Sequence, residues 1–212
     1  MRIGIIGSGQ IGATVGRLLA AAGHEPLFSF SRDPSRLEVA ARAAGERACT
    51  GTPAEAAAFG DVVLLAPPWP VVDQALAAAG SLTGRVVIDT TNPFTRGDMG
   101  LALGDEEASA AEQIAARTPG ASVVKAYNTL PAAILGAGRA ATGGPALALF
   151  LCSDDDGAKL ITTSLIADSG FVAIDTGPLA RAGEQEPGGP LFNQPLTEPE
   201  ARALLAAATA AA

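Results

Sequence analysis

Short apolar runs, each followed by a glycine-rich or polar turn and then by a helix with one apolar face, recur along the chain. The first run, Arg2–Ile6, is mostly apolar, which is typical of a strand buried on both faces of a parallel sheet. In the segment that follows, Ile11, Val15 and Leu18 have the spacing of one helical face. Strands that alternate with helices in this way predict an α/β fold built on a doubly wound parallel sheet.

The same pattern predicts the other elements. Strands are expected over residues 27–30, 48–49, 61–66, 85–89, 122–126, 146–151 and 171–175. Helices are expected over residues 34–44, 53–58, 71–79, 106–117, 157–168 and 197–210, with a loop over 182–195. Three consecutive aspartates, residues 154–156, could suggest a metal, but acidic residues before a helix are better interpreted as its cap.

The turn after the first strand contains the motif Gly7-Ser8-Gly9-Gln10-Ile11-Gly12 and opens the first helix. A GxGxxG motif between a strand and a helix is the fingerprint of Rossmann dinucleotide-binding folds. In that fold the first glycine permits the turn, the second leaves room for a diphosphate, and the third lets helix and strand pack closely. The sequence therefore predicts that Gly7, Ser8, Gly9, Gln10 and Ile11 bind the diphosphate of a dinucleotide.

The tip of the second strand indicates which dinucleotide is bound. An NAD site would place Asp or Glu there to hold the ribose 2′-hydroxyl, whereas this chain has Ser31 and Arg32, with Arg36 one helical turn later. A hydroxyl and guanidinium groups suit a 2′-phosphate, so NADP is the predicted cofactor. Asp33 could be the missing acid, but Asp33-Pro34 is preferred as the cap and first residue of the next helix.

Other rigid or polar loops also follow predicted strands. Because ligands of open α/β sheets bind outside the carboxyl ends of the strands, these loops are predicted to line one cofactor cleft. Trp69 has an alternative interpretation as plain loop packing. The residues predicted on the ring side of the cleft are Ala66, Pro67, Pro68, Trp69, Asn92, Ala126 and Asn128.

The pattern changes near Thr142, where a further strand–helix–strand unit begins. Residues 1–141 are therefore predicted to form the NADP-binding Rossmann domain. Residues 142–212 are predicted to form a small C-terminal α/β lobe for substrate binding or dimerisation.

Composition excludes several classes of protein. The chain has 212 residues and a formal net charge of −8, which argues against nucleic acid as a partner. Cys49 and Cys152 lack metal-ligand spacing, and the one histidine, His24, lies away from the cleft, so neither a metal site nor a histidine base is expected. No apolar run has transmembrane length, and glycines interrupt any signal sequence, so a cytoplasmic protein is predicted.

The chain resembles the NADPH-dependent coenzyme F420 (5-deazaflavin) reductases and the N-terminal domains of membrane ferric reductases, which pass hydride from NADPH to a flavin. The resemblance spans almost the whole length. Beside the glycine motif and Ser31-Arg32 with Arg36, it rests on Pro67-Pro68-Trp69, on residues 124–131 (VKAYNTLP) and on residues 175–179 (DTGPL).

This resemblance implies hydride transfer between NADP(H) and coenzyme F420, or FMN or FAD, as small-molecule co-substrates. The protein then mainly positions two rings, and no catalytic side chain is assigned. Some archaeal members have histidine where this chain has Asn128, so the acceptor stays open between deazaflavin, flavin and another molecule. The resemblance also implies a homodimer, for which the last helix is a candidate contact.

Two other functions remain open from the residues. The chain could be a sensor or interaction module that binds NADPH without turnover. It could also reduce a small imine or ketone, with water or Tyr127 as proton source.

Overall fold

The computed structural model of the protein describes residues 1–95, 108–138 and 144–211. Within these residues eight strands form one sheet. The strands are β1 (Arg2–Ile6), β2 (Glu25–Ser29), β3 (Cys49–Thr50), β4 (Val62–Leu65), β5 (Val86–Asp89), β6 (Ser122–Ala126), β7 (Ala148–Cys152) and β8 (Val172–Asp175). The helices are α1 (Gln10–Ala21), α2 (Ser35–Ala44), α3 (Pro53–Phe59), α4 (Val72–Ala79), α5 (Ala110–Arg117), α6 (Ala132–Ala137), α7 (Asp156–Asp168) and α8 (Glu198–Ala211).

The sheet has the order β3-β2-β1-β4-β5-β6-β7-β8. The first six strands are parallel, with the chain reversing its direction of travel across the sheet between β3 and β4, which confirms the predicted doubly wound α/β fold. One pair within the sheet is antiparallel, because β7 runs opposite to β6. β8 is again parallel to β7.

Apolar side chains leave both faces of the sheet, as expected for buried parallel strands. Along β4, Val62 and Leu64 belong to one core cluster, and Val63 and Leu65 belong to another on the opposite face. The first cluster includes residues of α1, α2, α6 and α7, and the second includes residues of α3, α4 and α5. The sheet therefore lies between two layers of helices.

Local capping defines several helix starts. Thr52 and Glu55 form a reciprocal capping box at α3, and Ser109 does the same with Glu112 at α5. Asp155 accepts a hydrogen bond from the N–H group of Ala158 at the start of α7, as the capping interpretation of the aspartates predicts.

Two short elements depart from the predicted pattern. Helix α6 lies where the sequence pattern predicts no element, and Leu135, buried in the core, packs it against α1. A 3-10 turn, Leu179–Gln185, also extends into the predicted loop over 182–195. The predicted start of α5 at residue 106 lies outside the described residues.

The C-terminal strands β7 and β8 continue the same sheet. Helix α8 packs beside β8 through Leu204 and Leu205. The predicted domain boundary at 141/142 lies outside the described residues, and the dimer contact through α8 stays a prediction. Among the described helices, none combines the length and the apolar character needed to span a bilayer.

Candidate functional site

A cleft of about 1000 Å³ opens along the carboxyl ends of the parallel strands. It brings together loops from β1, β2, β4, β5 and β6, which are the positions where an open α/β sheet binds ligands. Of the residues predicted to bind cofactor, those that line it are Gly7, Ser8, Gly9, Gln10, Ile11, Ser31, Arg32, Arg36, Ala66, Pro67, Pro68, Trp69, Asn92 and Asn128.

The turn between β1 and α1 forms the floor of the cleft. Gly7 has φ 107°, and a Cβ there would collide with the backbone of Ala66 and Pro67, so only glycine fits. A Cβ at Gly12 would overlap the carbonyl oxygen of Gly7. Gly9 differs, because its φ is −76° and an added Cβ would meet no protein atom within 4 Å. The protein itself therefore gives no steric reason for glycine at position 9.

Helix α1 begins without a side-chain cap at this turn. The first N–H groups of a helix have no partner inside the helix. At α3, α5 and α7, such N–H groups donate hydrogen bonds to the side chains of Thr52, Ser109 and Asp155. At α1 no side chain accepts from them, and Gln10 and Ile11 line the cleft. The positive end of the helix dipole also favours an anion there.

Two arginines occupy the next part of the cleft, after β2. Phe30 has φ 57°, a left-handed conformation that bends the chain directly after β2. Arg32 and Arg36 follow, both exposed and both lining the cleft. Neither forms an ion pair within the described parts of the chain, so both guanidinium groups are available to an anion.

Asp33 lies between these arginines in the sequence, and its carboxylate forms hydrogen bonds within its own turn. Its Oδ1 accepts hydrogen bonds from the Ser35 hydroxyl at 2.7 Å and from the Ser35 N–H at 3.0 Å. Those bonds, with the nearby charge of Arg36, lower the pKa of Asp33. The Ser31 hydroxyl donates to the Asp33 carbonyl at 2.8 Å. Asp33 thus organises the start of α2, and Ser31 supports the same turn.

The loop after β4 forms one wall of the cleft. Pro67 and Pro68 have no N–H group, and the 3-10 turn Trp69–Val71 follows them. Arg117 of α5 lies over the indole of Trp69, with its Cζ 5.4 Å from the ring centroid. The Arg117 Nε also pairs with Asp73 at 3.1 Å. The Trp69 ring therefore lies between the cleft and the guanidinium group of Arg117.

Amide groups lie where β5 and β6 end. The Asn92 Nδ2 donates to the Asn128 carbonyl at 3.0 Å, and the Asn128 Nδ2 donates to Asn92 Oδ1 at 3.1 Å. Asn128 Nδ2 also donates to the carbonyl of Gln185 at 2.7 Å. Asn128 is 3% exposed, and no described group bonds its Oδ1. The two asparagines thus form a fixed, uncharged surface at this end of the cleft.

A buried ion group lies beneath these asparagines. Lys125 Nζ is 2.9 Å from Asp89 Oδ2, 3.0 Å from Glu186 Oε1 and 2.6 Å from the Thr91 carbonyl. Burial lowers the pKa of Lys125, but the two carboxylates outweigh it and leave the pKa raised. Asp89 Oδ1 accepts from the N–H and hydroxyl groups of Thr91. Thr91, which lines the cleft, therefore forms hydrogen bonds with both Lys125 and Asp89.

The far wall of the cleft comes from distant sequence. Phe94, after β5, and Phe192, near the C-terminus, both line the cleft. Their rings meet edge to face with centroids 6.2 Å apart. Asn193 has φ 56° and donates its N–H to the Thr129 carbonyl at 2.9 Å. This end of the cleft is therefore apolar and amide-lined.

Two sequence-based assignments are corrected by the structure. Ala126 does not line the cleft, because it is fully buried at the end of β6, paired with Leu151 and packed in the core. Tyr127 also lies in the core, and its hydroxyl is 3.1 Å from the Ser169 hydroxyl. Burial raises the pKa of Tyr127. Its position does not suit a proton donor to a ligand in the cleft.

Sequence reasoning also missed part of the lining. Thr90 and Thr91 could have been found, since they directly follow β5. No local signal marks Phe192 or Asn193, which reach the cleft only through the fold. The missed residues are Phe30, Asp33, Pro70, Val71, Thr90, Thr91, Phe94, Thr95, Leu130, Pro131, Ala132, Phe192 and Asn193.

The remaining candidate groups lie elsewhere. His24 Nε2 is 3.1 Å from Asp168 Oδ2, and neither residue lines the cleft. Cys152 is buried, and burial raises the pKa of its thiol to about 12. Within the described residues, no cluster of His, Cys, Asp and Glu side chains could hold a metal ion.

The chain is similar in sequence and fold to several known proteins. The model of the family described as "NADP oxidoreductase coenzyme F420-dependent" matches residues 2–93. The hypothetical protein SMa0349 of Sinorhizobium meliloti is 30% identical, with a TM-score of 0.83 over 93% of this chain and 95% of that chain. A proposed F420-dependent NADP-reductase from Arthrobacter sp. FB24 is 28% identical, with a TM-score of 0.72 over 85% of this chain and 86% of that chain.

A longer protein shares the same region. The metalloreductase STEAP3 of Rattus norvegicus is 28% identical over 185 residues, which are 87% of this chain and 36% of the relative. The chain thus spans about a third of the length of that relative.

Proposed function

We propose that this chain, which belongs to the NADP oxidoreductase coenzyme F420-dependent family, transfers hydride between NADP(H) and a deazaflavin or flavin. NADP-dependent oxidoreduction is the activity of its family and relatives. The identity of the acceptor, the residues that hold each ligand and the assembly as a homodimer are parts of the proposal.

The observation that carries the proposal is the open space at Gly9. A Cβ there would enter the cleft in front of the uncapped α1 and would meet no protein atom within 4 Å. That geometry suits a diphosphate bonded to the N–H groups of Gly9, Gln10 and Ile11. The residues present therefore fit the cofactor. Bound NADPH supplies a hydride from its nicotinamide ring.

The two arginines after β2 support NADP rather than NAD. Arg32 and Arg36 offer two permanently charged, exposed donor groups to a ribose 2′-phosphate. The one nearby carboxylate, Asp33, already accepts two hydrogen bonds from Ser35. It is therefore less available to the 2′-hydroxyl that an NAD site would hold.

The opposite end of the cleft supports a flat acceptor. Its lining includes the amides of Asn92 and Asn128 and the rings of Phe94 and Phe192. Amides and ring faces can hold and orient a planar heteroaromatic molecule beside the nicotinamide without exchanging protons with it. A deazaflavin or flavin meets this requirement, because the ring system itself accepts the hydride. The likeness to a proposed F420-dependent NADP-reductase favours the deazaflavin.

Arg32→Ala tests the cofactor assignment. Loss of the guanidinium should raise the Kd for NADPH about tenfold or more, the cost of one charge-assisted hydrogen bond, and leave the Kd for NADH nearly unchanged. Binding can be followed by fluorescence of Trp69, the only tryptophan in the chain, which lines the cleft.

Arg47→Ala is the matched control, because Arg47 is exposed and does not line the cleft. Its affinity for both dinucleotides should equal that of the wild type. An equal loss of NADPH and NADH affinity in Arg32→Ala would remove Arg32 from the 2′-phosphate site.

Turnover separates the proposed enzyme from a module that only binds NADPH. The wild-type protein should oxidise NADPH when coenzyme F420 or FMN is added anaerobically, which is measured from the absorbance of NADPH. Tight NADPH binding without turnover on either acceptor would favour the binding module.

A further inference from the structure

The segment of residues 184–193, here called the C-terminal segment, crosses the carboxyl end of the sheet and supplies Phe192 and Asn193 to the cleft. Two hydrogen bonds attach its backbone to the loop after β6. The Gln185 carbonyl accepts from Asn128 Nδ2, and Asn193 donates its N–H to the Thr129 carbonyl. Within the segment, Leu191 donates its N–H to the Glu184 carbonyl. Leu191 also packs the segment into the core, because it is fully buried with Ala148, Phe150, Ile174 and Ala201.

Glu186 adds a charged attachment to β6 and α5. Its side chain is 6% exposed, and its Oε1 lies 3.0 Å from Lys125 Nζ. The same carboxylate accepts hydrogen bonds from the N–H groups of Ala110 at 2.9 Å and Ala111 at 3.1 Å, in the first turn of α5. One carboxylate thus joins the C-terminal segment to β6 and to α5, each through a charge-assisted bond.

The ion group also reaches the other wall of the cleft. Lys125 donates to the Thr91 carbonyl, and Asp89 accepts from the N–H and hydroxyl groups of Thr91. Phe94, three residues after Thr91, meets Phe192 edge to face. Both sides of this end of the cleft are therefore connected to one buried ion group. Its members Asp89, Lys125 and Glu186 do not line the cleft themselves.

We propose that Glu186, acting through Lys125 and the first turn of α5, is the positioning residue that fixes Phe192 and Asn193 as the acceptor-side wall of the cleft. The proposal rests on the proposed function, since it assigns the acceptor to that end. Glu186 does not line the cleft. It acts by holding the C-terminal segment at the distance from Thr91 and Phe94 that a flat ring requires.

Glu186→Gln is the informative variant. It removes one of two carboxylates and leaves Lys125 and Asp89 as a buried pair of balanced charge, so folding is preserved better than in a lysine variant. Both oxygens of the Glu186 carboxylate accept hydrogen bonds, whereas a glutamine amide has one acceptor oxygen and one NH2 donor. In the variant, the NH2 group must therefore face at least one of the donors Lys125, Ala110 and Ala111. The C-terminal segment should then loosen.

Glu184→Gln is the matched control. Glu184 makes the same type of ion pair in the same segment, with Arg181 at 2.6 Å, but both side chains are about a quarter exposed and the pair lies away from the cleft. This pair joins two residues three apart in the chain, so its loss does not release the segment from Lys125. The control should therefore behave as the wild type in every assay below.

The experiment compares steady-state reduction of coenzyme F420 and FMN by NADPH with NADPH binding followed through Trp69. In Glu186→Gln the KM for the acceptor should rise about tenfold, while the Kd for NADPH stays at the wild-type value. A merely structural role would weaken both or neither. An unchanged acceptor KM, or an equal loss of NADPH affinity, overturns the proposal.

If Glu186→Gln does not fold, Glu186→Asp carries the same test. It keeps the charge but shortens the side chain by one methylene, so it cannot reach Lys125 and α5 together. The same split between acceptor KM and NADPH Kd is expected, and its absence overturns the proposal. Wild-type protein that binds NADPH but reduces neither acceptor would instead refute the proposed function, and with it this inference.

Discussion

Gly9 and Gly12 stand three residues apart in the turn after β1, yet a methyl group would have opposite effects at the two positions. At Gly12 a Cβ overlaps the Gly7 carbonyl oxygen, so glycine is needed for helix α1 to pack on the sheet. At Gly9 the Cβ enters open space in the cleft. The same residue type therefore serves folding at one position and is free to serve binding at the other.

Gly9→Ala follows from this contrast. The free energy of unfolding should change by less than about 1 kcal/mol, because φ at Gly9 is −76° and alanine adopts it without strain. The Kd for NADPH should rise about tenfold or more, because the methyl group occupies diphosphate space. Thermal unfolding and Trp69 fluorescence measure the two effects.

Gly12→Ala is the contrasting variant, and it should lose stability as well as binding. A Gly9→Ala protein that unfolds as easily as Gly12→Ala, or that binds NADPH as tightly as the wild type, would contradict the division of roles.

The sequence predicts residues whose role is local and misses those whose role depends on distant partners. The glycine motif and Arg32 could be assigned because spacing within one strand–turn–helix unit determines their position. Lys125 belongs to a predicted strand, but its partners Asp89 and Glu186 are far away along the chain, so no periodicity indicates a buried cation. Phe192 likewise meets Phe94 only in the folded chain, so no local sequence pattern places it in the cleft.

At the scale of single elements, the start of helix α3 shows how four residues can define a helix boundary. In α3, Glu55 donates its N–H to the Thr52 hydroxyl at 3.2 Å, and the Glu55 carboxylate accepts from the Thr52 N–H at 2.7 Å and hydroxyl at 2.9 Å. Such a box is readable from four residues. Helix α6 has no such signal, and it is set instead by burial of Leu135 against distant helices.

Thr52→Ala should lower the free energy of unfolding by about 1 kcal/mol at neutral pH, the usual cost of a lost cap. Hydrogen bonds from the Thr52 N–H and hydroxyl lower the pKa of Glu55. A lowered carboxyl pKa adds stability above the unfolded-state pKa, and that stability is lost as pH falls through the folded-state pKa. The difference between variant and wild type should therefore shrink in acid, as measured by urea unfolding across pH.

Thr163→Ala is the control for this prediction, since Thr163 is exposed in the interior of α7. Alanine favours a helix interior, so its stability should match or slightly exceed that of the wild type at every pH. An equal loss in both variants, or a difference for Thr52→Ala that grows in acid, would contradict the role of the capping box.

At the scale of the whole molecule, one sheet concentrates every described lining group at its carboxyl edge. The chain carries a net charge of −8, yet the phosphate end of the cleft has Arg32, Arg36 and the start of α1. Local groups thus outweigh the overall charge where an anion would bind. The parallel order of the first six strands was predictable from alternation, but the reversed β7 was not, because strand direction depends on where the chain re-enters the sheet.

The structure of the protein crystallised with NADPH tests the central claim most directly. We expect the diphosphate on the N–H groups of Gly9 to Ile11, the 2′-phosphate between Arg32 and Arg36, and the nicotinamide at the end lined by Asn92 and Asn128. A dinucleotide bound outside this cleft, or bound with its nicotinamide beside Arg32, would contradict the account.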